Sequence, residues 1–230
     1  MNKTIIITGA AGNLGQSVVK KFVGAGYRVV ATVSPGKTLG YAVSGNIDVY
    51  EADLTNEASV TKLVSEWIVK YKTIDAVALL VGGYASGNIQ NTDGKMLKKM
   101  IALNFETAYY TVRPLFNHMM TQTHGGRIMV VGARTAIKPM DGKESLAYAL
   151  SKSLIFQLAD ILNAEGAKKN VVASVIVPST IDTPTNREVM PTADFSKWVN
   201  PDDIAEGMIY LCSDPATPLS NPVLKMYGKS

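Results

Sequence analysis

Two side chains that can handle a proton stand four residues apart in the chain, Tyr148 and Lys152. On a helix, this spacing places both side chains on one face, one turn apart. A free tyrosine holds its proton to about pH 10, and a nearby ammonium lowers that pKa by favouring the phenolate. The pair therefore predicts an acid–base group. Amphipathic helices also carry tyrosine and lysine at this spacing, so the prediction needs a second signal.

A glycine-rich turn near the start of the chain supplies that signal. It follows a run of β-branched residues and precedes a helical pattern, and its members are Gly9, Gly12, Asn13, Leu14 and Gly15. Glycines let a backbone turn tightly and approach a pyrophosphate, while a helix N-terminus offers free N–H groups and a positive dipole end. The segment predicts a dinucleotide site, with a plain strand–helix turn as the alternative.

Three further residues bear on the adenosine end of such a cofactor. Asp53 follows the third predicted strand, where it could accept a hydrogen bond from adenine or else cap a helix. An acid after the second strand would bind the ribose hydroxyls of NAD. Ser34 stands there without a charge to repel a 2′-phosphate, and Lys37 could pair with one. We therefore expect NADPH or NADH, with a slight preference for NADPH; a solvated Lys37 is the alternative.

The elements that would position these residues alternate between strands and helices. Seven runs are predicted as strands: 4–8, 28–33, 49–51, 76–81, 127–131, 171–177 and 223–226. Five segments have helical periodicity: 14–25, 57–71, 95–121, 146–167 and 202–211. The alternation predicts an α/β fold, a single Rossmann-type doubly wound parallel sheet with helices on both faces. We expect one domain over residues 1–230, with irregular, ligand-binding segments at 82–92, 132–144 and 178–199.

The composition disfavours several classes of function. The chain has 230 residues, 47% hydrophobic and 18% charged, and its net charge of +4 is spread over scattered lysines, so no nucleic-acid partner is expected. No apolar run spans a bilayer, and the N-terminal one is too short for a signal sequence. The single Cys212 precludes an internal disulfide, and His118 and His124 lack metal-ligand spacing. We expect a cytoplasmic protein with neither a metal nor a membrane partner.

The glycine turn, Asp53 and the Tyr148/Lys152 pair together resemble the short-chain dehydrogenase/reductase family. Its usual turn is Thr-Gly-x-x-x-Gly-x-Gly; here Thr8, Gly9 and Gly15 match, Gly12 comes one place early and Asn13 takes a glycine position. Asn104 matches an asparagine that holds a proton-relaying water in the family. The resemblance implies further NAD(P) contacts from five positions: Gly82, Gly83, Lys152, Pro178 and Thr183.

Two departures from the family pattern concern the substrate side. The usual Asn-Asn-Ala-Gly is replaced by residues 79–82, which are followed by Gly83 and Tyr84. Ala133 takes the place of the catalytic serine, whose hydroxyl polarises a ketone. Thr135 and Ser145 are nearby hydroxyls that could substitute for it, and either could equally be a turn residue.

Both departures resemble the dihydropteridine reductase branch of the family. Four segments carry this likeness, namely 82–88, 132–133, 181–187 and 190–198, and the last two imply a substrate lid around residues 182–199. That branch has an aspartate where Ser34 stands and no clear counterpart of Asn104. Trp198, Phe195 or Tyr84 could stack on a flat ring; packing of the lid is the alternative for the first two.

The resemblance implies a hydride-transfer enzyme in which Tyr148 donates a proton and Lys152 binds the nicotinamide ribose. A quinonoid dihydropterin accepts hydride readily, so the loss of the serine at Ala133 favours it as substrate. One alternative is another carbonyl or imine substrate with Thr135 or Ser145 as donor. Another is a nucleotide-binding sensor, disfavoured by the intact Tyr148, Lys152 and Asn104. A homodimer or homotetramer is expected, with helices 95–121 and 146–167 pairing across a twofold axis.

Overall fold

Seven parallel strands form one sheet in the computed structural model, which describes residues 2–40 and 46–229. The strands are β1 (Thr4–Thr8), β2 (Arg28–Val33), β3 (Ile47–Glu51), β4 (Ala76–Leu79), β5 (Gly126–Val131), β6 (Val171–Pro178) and β7 (Val223–Met226). Their spatial order is β3-β2-β1-β4-β5-β6-β7, and every neighbouring pair is parallel. The predicted doubly wound sheet is confirmed. Its order reverses beside β1, so a ligand crevice is expected between the carboxyl ends of β1 and β4.

Helices cover both faces of the sheet. They are α1 (Asn13–Gly24), α2 (Glu57–Tyr71), α3 (Gly94–Ile101), α4 (Thr107–Thr121), α5 (Arg134–Ile137), α6 (Pro139–Gly142), α7 (Leu146–Gly166), α8 (Pro184–Val189) and α9 (Pro201–Leu211). One buried core joins the sheet to α2, α4 and α7, and the other joins it to α1 and α9. All five residues of β1 are buried, because the strand is covered on both sides. None of the helices in the described part of the chain is long and apolar enough to cross a membrane.

Some predicted boundaries are wrong for identifiable reasons. Strand β4 ends two residues early, because the amide of Leu80 donates to the Thr8 hydroxyl (3.0 Å). The predicted helix 95–121 is interrupted by a π-helical turn, Ala102–Glu106. The segments predicted as irregular contain α5, α6 and α8, which span four to six residues each. Helices that short complete too few turns to produce a periodic pattern.

The glycine turn depends on close approach between β1 and α1. Gly9 adopts a φ of 68°, which disfavours other L-residues. Gly15 lies in the first turn of α1, where a β-carbon would overlap the carbonyl oxygen of Gly9 and lie 2.9 Å from the Cα of Ala10. Only glycine at residue 15 therefore lets α1 begin so close to the end of β1.

A pair of alanine substitutions in α1 tests this constraint. Gly15→Ala is expected to lower the free energy of unfolding by about 1–3 kcal/mol, because the turn must shift to accept the β-carbon. Gly24→Ala is the matched control, since a β-carbon there meets nothing within 4 Å. The control is expected to leave stability unchanged or raise it slightly, because alanine favours a helix. Urea denaturation of both variants measures the difference, and equal stabilities would contradict the close approach.

Candidate active site

Tyr148 and Lys152 both lie on α7, which begins at Leu146. The Lys152 side chain crosses to the carboxyl end of β5, where its Nζ donates to the carbonyl oxygen of Val131 (2.8 Å). With only 6% of the lysine exposed, this carbonyl is an important partner for the amine. Gly82 lies against the same group: a β-carbon there would be 3.3 Å from Nζ. The lysine thus occupies the junction of β4, β5 and α7.

The two proposed acid–base groups have pKa values displaced in opposite directions. Burial lowers the pKa of Lys152 to about 8. Burial, together with the nearby Tyr84, raises the pKa of Tyr148 to about 12. The sequence predicted the reverse for Tyr148, so that expectation is wrong here. Desolvation dominates because the Lys152 ammonium is directed to Val131. Tyr148 therefore remains a protonated phenol at neutral pH, as a proton donor requires.

Asn104, at the centre of the π-helical turn, connects the loop after β4 to helix α7. Its Oδ1 accepts from the amide of Gly83 (2.8 Å), and its Nδ2 donates to the carbonyl of Gly83 (3.1 Å) and to Ser151 Oγ (3.0 Å). The side chain is buried, and both amide hydrogens have protein acceptors. Single π-helical turns are frequent at functional sites. The fixed position of Gly83 is therefore a consequence of this side-chain amide.

A groove beside the glycine turn contains most of the predicted adenosine contacts. It is lined by residues from the ends of β1, β2, β3 and β4, among them Gly9, Thr32, Ser34, Asp53, Leu54 and Val81. Asp53 Oδ1 accepts from the amide (3.0 Å) and hydroxyl (2.7 Å) of Thr55, which lowers the pKa of this carboxyl. Asp53 therefore stabilises a local turn and lines the groove, whereas the helix cap considered as its alternative is provided by Asn56, whose Oδ1 accepts from the Ser59 amide (3.0 Å). The hydrogen bond of Asp53 with adenine stays a prediction.

The segment 34–37 forms a tight turn at the mouth of this groove. The Lys37 amide donates to the Ser34 carbonyl (2.9 Å), and Gly36 has a φ of 73°, as a Pro-Gly turn of type II requires. Lys37 itself is exposed and does not line the groove. Glu51, which the sequence analysis did not single out, accepts from the amide of Gly36 (3.2 Å). The feature that could have identified Glu51 is its position at the end of β3, beside β2.

Tyr84 and Tyr148 meet on the substrate side, with ring centroids 5.1 Å apart and planes at 66°. Tyr84 is 66% exposed, so its other face is open to a ligand. Ala133, by contrast, is buried directly before α5. The hydroxyl of Thr135 is buried without a hydrogen-bond partner, and Ser145 is buried at the start of α7. The positions considered as replacements for the serine therefore lie within the protein rather than on its surface.

Hydrogen bonds join the two ends of the predicted lid segment, residues 182–199, and further contacts connect residues within it. The Asp182 amide donates to the Val199 carbonyl (2.8 Å). Arg187 makes two hydrogen bonds with the Asp182 carboxylate (2.6 and 2.7 Å), which lowers the pKa of that acid. The guanidinium also lies 4.7 Å from the centre of the Phe195 ring, which contacts Trp198. These contacts favour the packing role for Phe195 and Trp198 over stacking on a ligand.

The lid segment also touches the glycine turn. Asn13 Nδ2 donates to the hydroxyl of Thr185 in α8 (3.1 Å). Thr183 is buried and caps α8 by accepting from the Asn186 amide (3.2 Å), while Pro178 ends β6. The residue that departs from the usual glycine pattern is therefore the one that contacts α8. Within residues 2–40 and 46–229, no three His, Cys, Asp or Glu side chains are grouped to bind a metal.

The displaced pKa of Lys152 predicts a pH-dependent stability. In the unfolded chain the amine binds a proton below about pH 10.5, and in the folded protein only below about 8. Between these values the unfolded state binds more protons, so the wild type should gain up to about 3 kcal/mol relative to Lys152→Met as the pH rises. Denaturant unfolding from pH 7 to 10.5 measures this difference.

Tyr148→Phe tests the raised pKa of Tyr148, which should make stability change with pH in the opposite direction. The raised pKa of Tyr148 means that the unfolded state loses its proton first, from about pH 10 to 12. The wild type should therefore lose stability relative to Tyr148→Phe over that range. If the difference in the free energy of unfolding between the wild type and Lys152→Met does not change with pH, the Lys152 amine is solvated.

The comparisons with known proteins agree with this geometry. Residues 3–194 match the family described as short chain dehydrogenase. Acetoacetyl-CoA reductase from Acinetobacter sp. (strain RA3849) is 24% identical over 243 residues, covering 98% of this chain and 96% of that protein. Dihydropteridine reductase from Dictyostelium discoideum is 25% identical over 235 residues, covering 100% and 96%. These relatives differ in their substrates, so they support the reaction class more closely than any one substrate.

Among solved structures, the one described as ElxO with NADP bound superposes with a TM-score of 0.90 at 22% identity, covering 99% of this chain and 98% of that one. This likeness bears on the fold alone. The family match, however, covers most of the chain and includes the glycine turn, Asn104, Tyr148 and Lys152. The chain therefore belongs to the short-chain dehydrogenase/reductase family of NAD(P)-dependent oxidoreductases.

Proposed function

We propose that this protein reduces a quinonoid dihydropterin, or a closely similar electron-poor heterocycle, with Tyr148 as the proton donor. The observation that carries the proposal is the contact of Tyr148, whose raised pKa keeps its hydroxyl protonated, with the exposed ring of Tyr84, while alanine at position 133 provides no second hydroxyl. A simple ketone needs such a donor, and its loss can cost about 10²–10³ in rate. A quinonoid ring is already electron-poor and needs it less.

The residues present fit a bound NAD(P)H. The glycine turn and the start of α1 would hold the diphosphate, and the groove at Asp53 would hold the adenosine. Lys152 would bind the nicotinamide ribose. Pro178 and Thr183 would approach the carboxamide. When bound, the reduced nicotinamide supplies the hydride, and the protein contributes position and electrostatics.

The chain's own groups would then manage the proton. Tyr148 donates its hydroxyl proton to a ring nitrogen of the substrate, and the Lys152 ammonium, whose lowered pKa makes it a ready proton donor, would return a proton to the resulting phenolate. Because both hydrogens of the Asn104 amide are committed to Gly83 and Ser151, the water implied by the family resemblance would use the main-chain carbonyl of Asn104. Once it has given up its proton, the neutral Lys152 amine would take another from that water, which restores the ammonium for the next turnover.

The coenzyme preference depends on two opposing charges near the adenosine ribose. Ser34 and the exposed Lys37 favour a 2′-phosphate, and the solved structure described as ElxO with NADP bound is consistent with that preference. Glu51 adds a negative charge at the same turn and weakens it. We therefore propose NADPH as the preferred coenzyme by a small factor, with NADH also accepted.

The buried thiol of Cys212 is consistent with the reducing conditions of a cytoplasm.

A second candidate function is reduction of another carbonyl or imine substrate. The observation that favours it is the Thr135 hydroxyl, which is buried and has no hydrogen-bond partner. Such a group is free to donate to a substrate oxygen if α5 moves slightly, and it would replace the missing serine. The acetoacetyl-CoA reductase relative acts, by its name, on a ketone. Thr135→Val would abolish this activity and leave pterin reduction intact.

Nicotinamide absorbance with quinonoid dihydropterin and either NADPH or NADH tests the main proposal. We expect turnover with both coenzymes, and Tyr148→Phe should lower kcat by about 10²–10⁴, because the proton donor is lost. Ala133→Ser separates the two candidate substrates: it should change pterin turnover less than about threefold while raising ketone reduction by up to about 10². Absence of turnover with either coenzyme would reject the pterin, and inactivity on ketones and imines as well would favour a nucleotide-binding sensor.

We also propose that the protein associates as a homodimer or homotetramer through α4 and α7. Leu150, Leu154 and Ile161 are exposed at spacings of four and seven residues, so they form an apolar row along α7. Tyr109 on α4 is exposed too. An exposed apolar row of this kind on a helix face is typical of a surface that another subunit covers.

Charged substitutions test that interface. Leu150→Glu combined with Leu154→Glu should convert the assembly to monomers in sedimentation velocity, because the two carboxylates would be buried without partners. Val69→Glu on α2 is the control, since Val69 is 78% exposed and lies on a different helix. A wild-type monomer, or an unchanged assembly of the double variant, would contradict the proposed interface.

A further inference from the structure

Ser151 joins the helix that carries the proton donor to the π-helical turn. It is completely buried, and it stands one residue before Lys152. Its Oγ donates to the carbonyl oxygen of Tyr148 (2.8 Å) and accepts from Nδ2 of Asn104 (3.0 Å). The hydroxyl therefore uses both its donor and its acceptor capacity inside the protein.

These bonds form a continuous chain from β4 to α7. Gly83 is held at both its N–H and its carbonyl by Asn104, Asn104 donates to Ser151, and Ser151 donates to the backbone of Tyr148. Serially connected hydrogen bonds in a buried region strengthen one another. The chain begins beside Gly82, which lies against the Lys152 amine. It therefore connects the residue bearing the phenol to the backbone that flanks the lysine.

We propose that Ser151 is a positioning residue for the reaction: it fixes α7 against Asn104, so that Tyr148 and Lys152, which the helix itself holds one turn apart, keep a set position relative to Gly83. This inference rests on the proposed function only for its kinetic consequence. The structural part of the inference, which does not depend on that function, is that the hydroxyl of Ser151 keeps the π-helical turn and α7 in a fixed position relative to each other. Removal of the hydroxyl leaves that buried Asn104 N–H with only the Met100 sulfur (3.8 Å), a weak acceptor, and removes the direct bond between the π-helical turn and α7.

The same helix provides a matched control. Ser153 Oγ donates to the carbonyl of Leu150 (2.7 Å), the same bond to the residue three positions earlier that Ser151 makes to Tyr148. Ser153 lies on the partly exposed side of α7, away from Asn104. Ser153→Ala therefore removes an equivalent local bond without touching the chain of hydrogen bonds. Ser151→Cys is the conservative variant, since a thiol can still donate and accept weakly.

Steady-state kinetics measure the positioning. Ser151→Ala should lower kcat by about 10- to 100-fold, because the reacting group is misplaced, while the dissociation constant of NADPH changes less than about twofold. Ser151→Cys should recover part of the lost kcat, and Ser153→Ala should behave as wild type. Combining Ser151→Ala with Asn104→Ala should add little to the loss from Asn104→Ala alone, because both break one chain. Full additivity, or an unchanged kcat in Ser151→Ala, would overturn the proposal.

Hydrogen exchange tests the structural content without turnover. Ser151→Ala should speed amide exchange in the peptide covering residues 102–106 at least several-fold, while Ser153→Ala leaves it unchanged. An unchanged exchange rate in folded Ser151→Ala overturns the inference, whatever the activity; Ser151→Cys is expected to exchange at a rate between those of the wild type and Ser151→Ala. If the wild type reduces no substrate tested, the proposed function fails, and the exchange rates alone decide whether Ser151 holds the two elements together.

Discussion

The Lys152 amine is buried at the carboxyl end of the sheet, and much of the site follows from the need to accommodate it. A charged amine removed from water is stabilised only by close acceptors, and the Val131 carbonyl provides one at 2.8 Å. Burial still lowers the pKa of Lys152 to about 8, so part of the population is neutral under physiological conditions. A neutral side chain can be buried at a lower cost in free energy than a charged one. The same displacement makes the ammonium a better proton donor and brings its pKa closer to neutral pH, so the desolvation that destabilises the lysine also suits it for proton transfer.

The neighbouring groups are arranged around this amine by steric exclusion as much as by charge. Gly82 lacks a β-carbon, which would lie 2.7 Å from Asn104 Oδ1 and 3.3 Å from Lys152 Nζ. The π-helical turn brings Asn104 close enough to bind both polar groups of Gly83. Tyr148 lies outside this cluster, and its raised pKa comes from burial against Tyr84. The pKa values of the two groups are therefore set separately. That of Tyr148 is raised by burial beside the Tyr84 ring, and that of Lys152 is lowered by burial at the carboxyl end of the sheet.

Local patterns were sufficient for the strands, the long helices and the placement of Tyr148 and Lys152 on one helix, because each depends on residues close in sequence. The π-helical turn at Asn104 was not predicted, since it changes the hydrogen-bond register without a distinctive composition. The pKa direction of Tyr148 was wrong because desolvation depends on tertiary packing. Glu51 was missed for a similar reason: its contact with Gly36 joins the ends of two strands.

Asn13 shows how a departure from a family pattern can be compensated elsewhere. At the usual glycine position, a side chain would reduce the room beside the diphosphate. Here the Asn13 amide is directed to Thr185 in α8, 3.1 Å away, and not back over the turn. Gly15 keeps the tight approach to Gly9 that α1 requires. The substitution therefore leaves the backbone of the turn intact and adds a contact to the lid segment. The hydrogen bond joins the glycine turn to α8, so a movement of α8 would alter the hydrogen bonding at the start of α1.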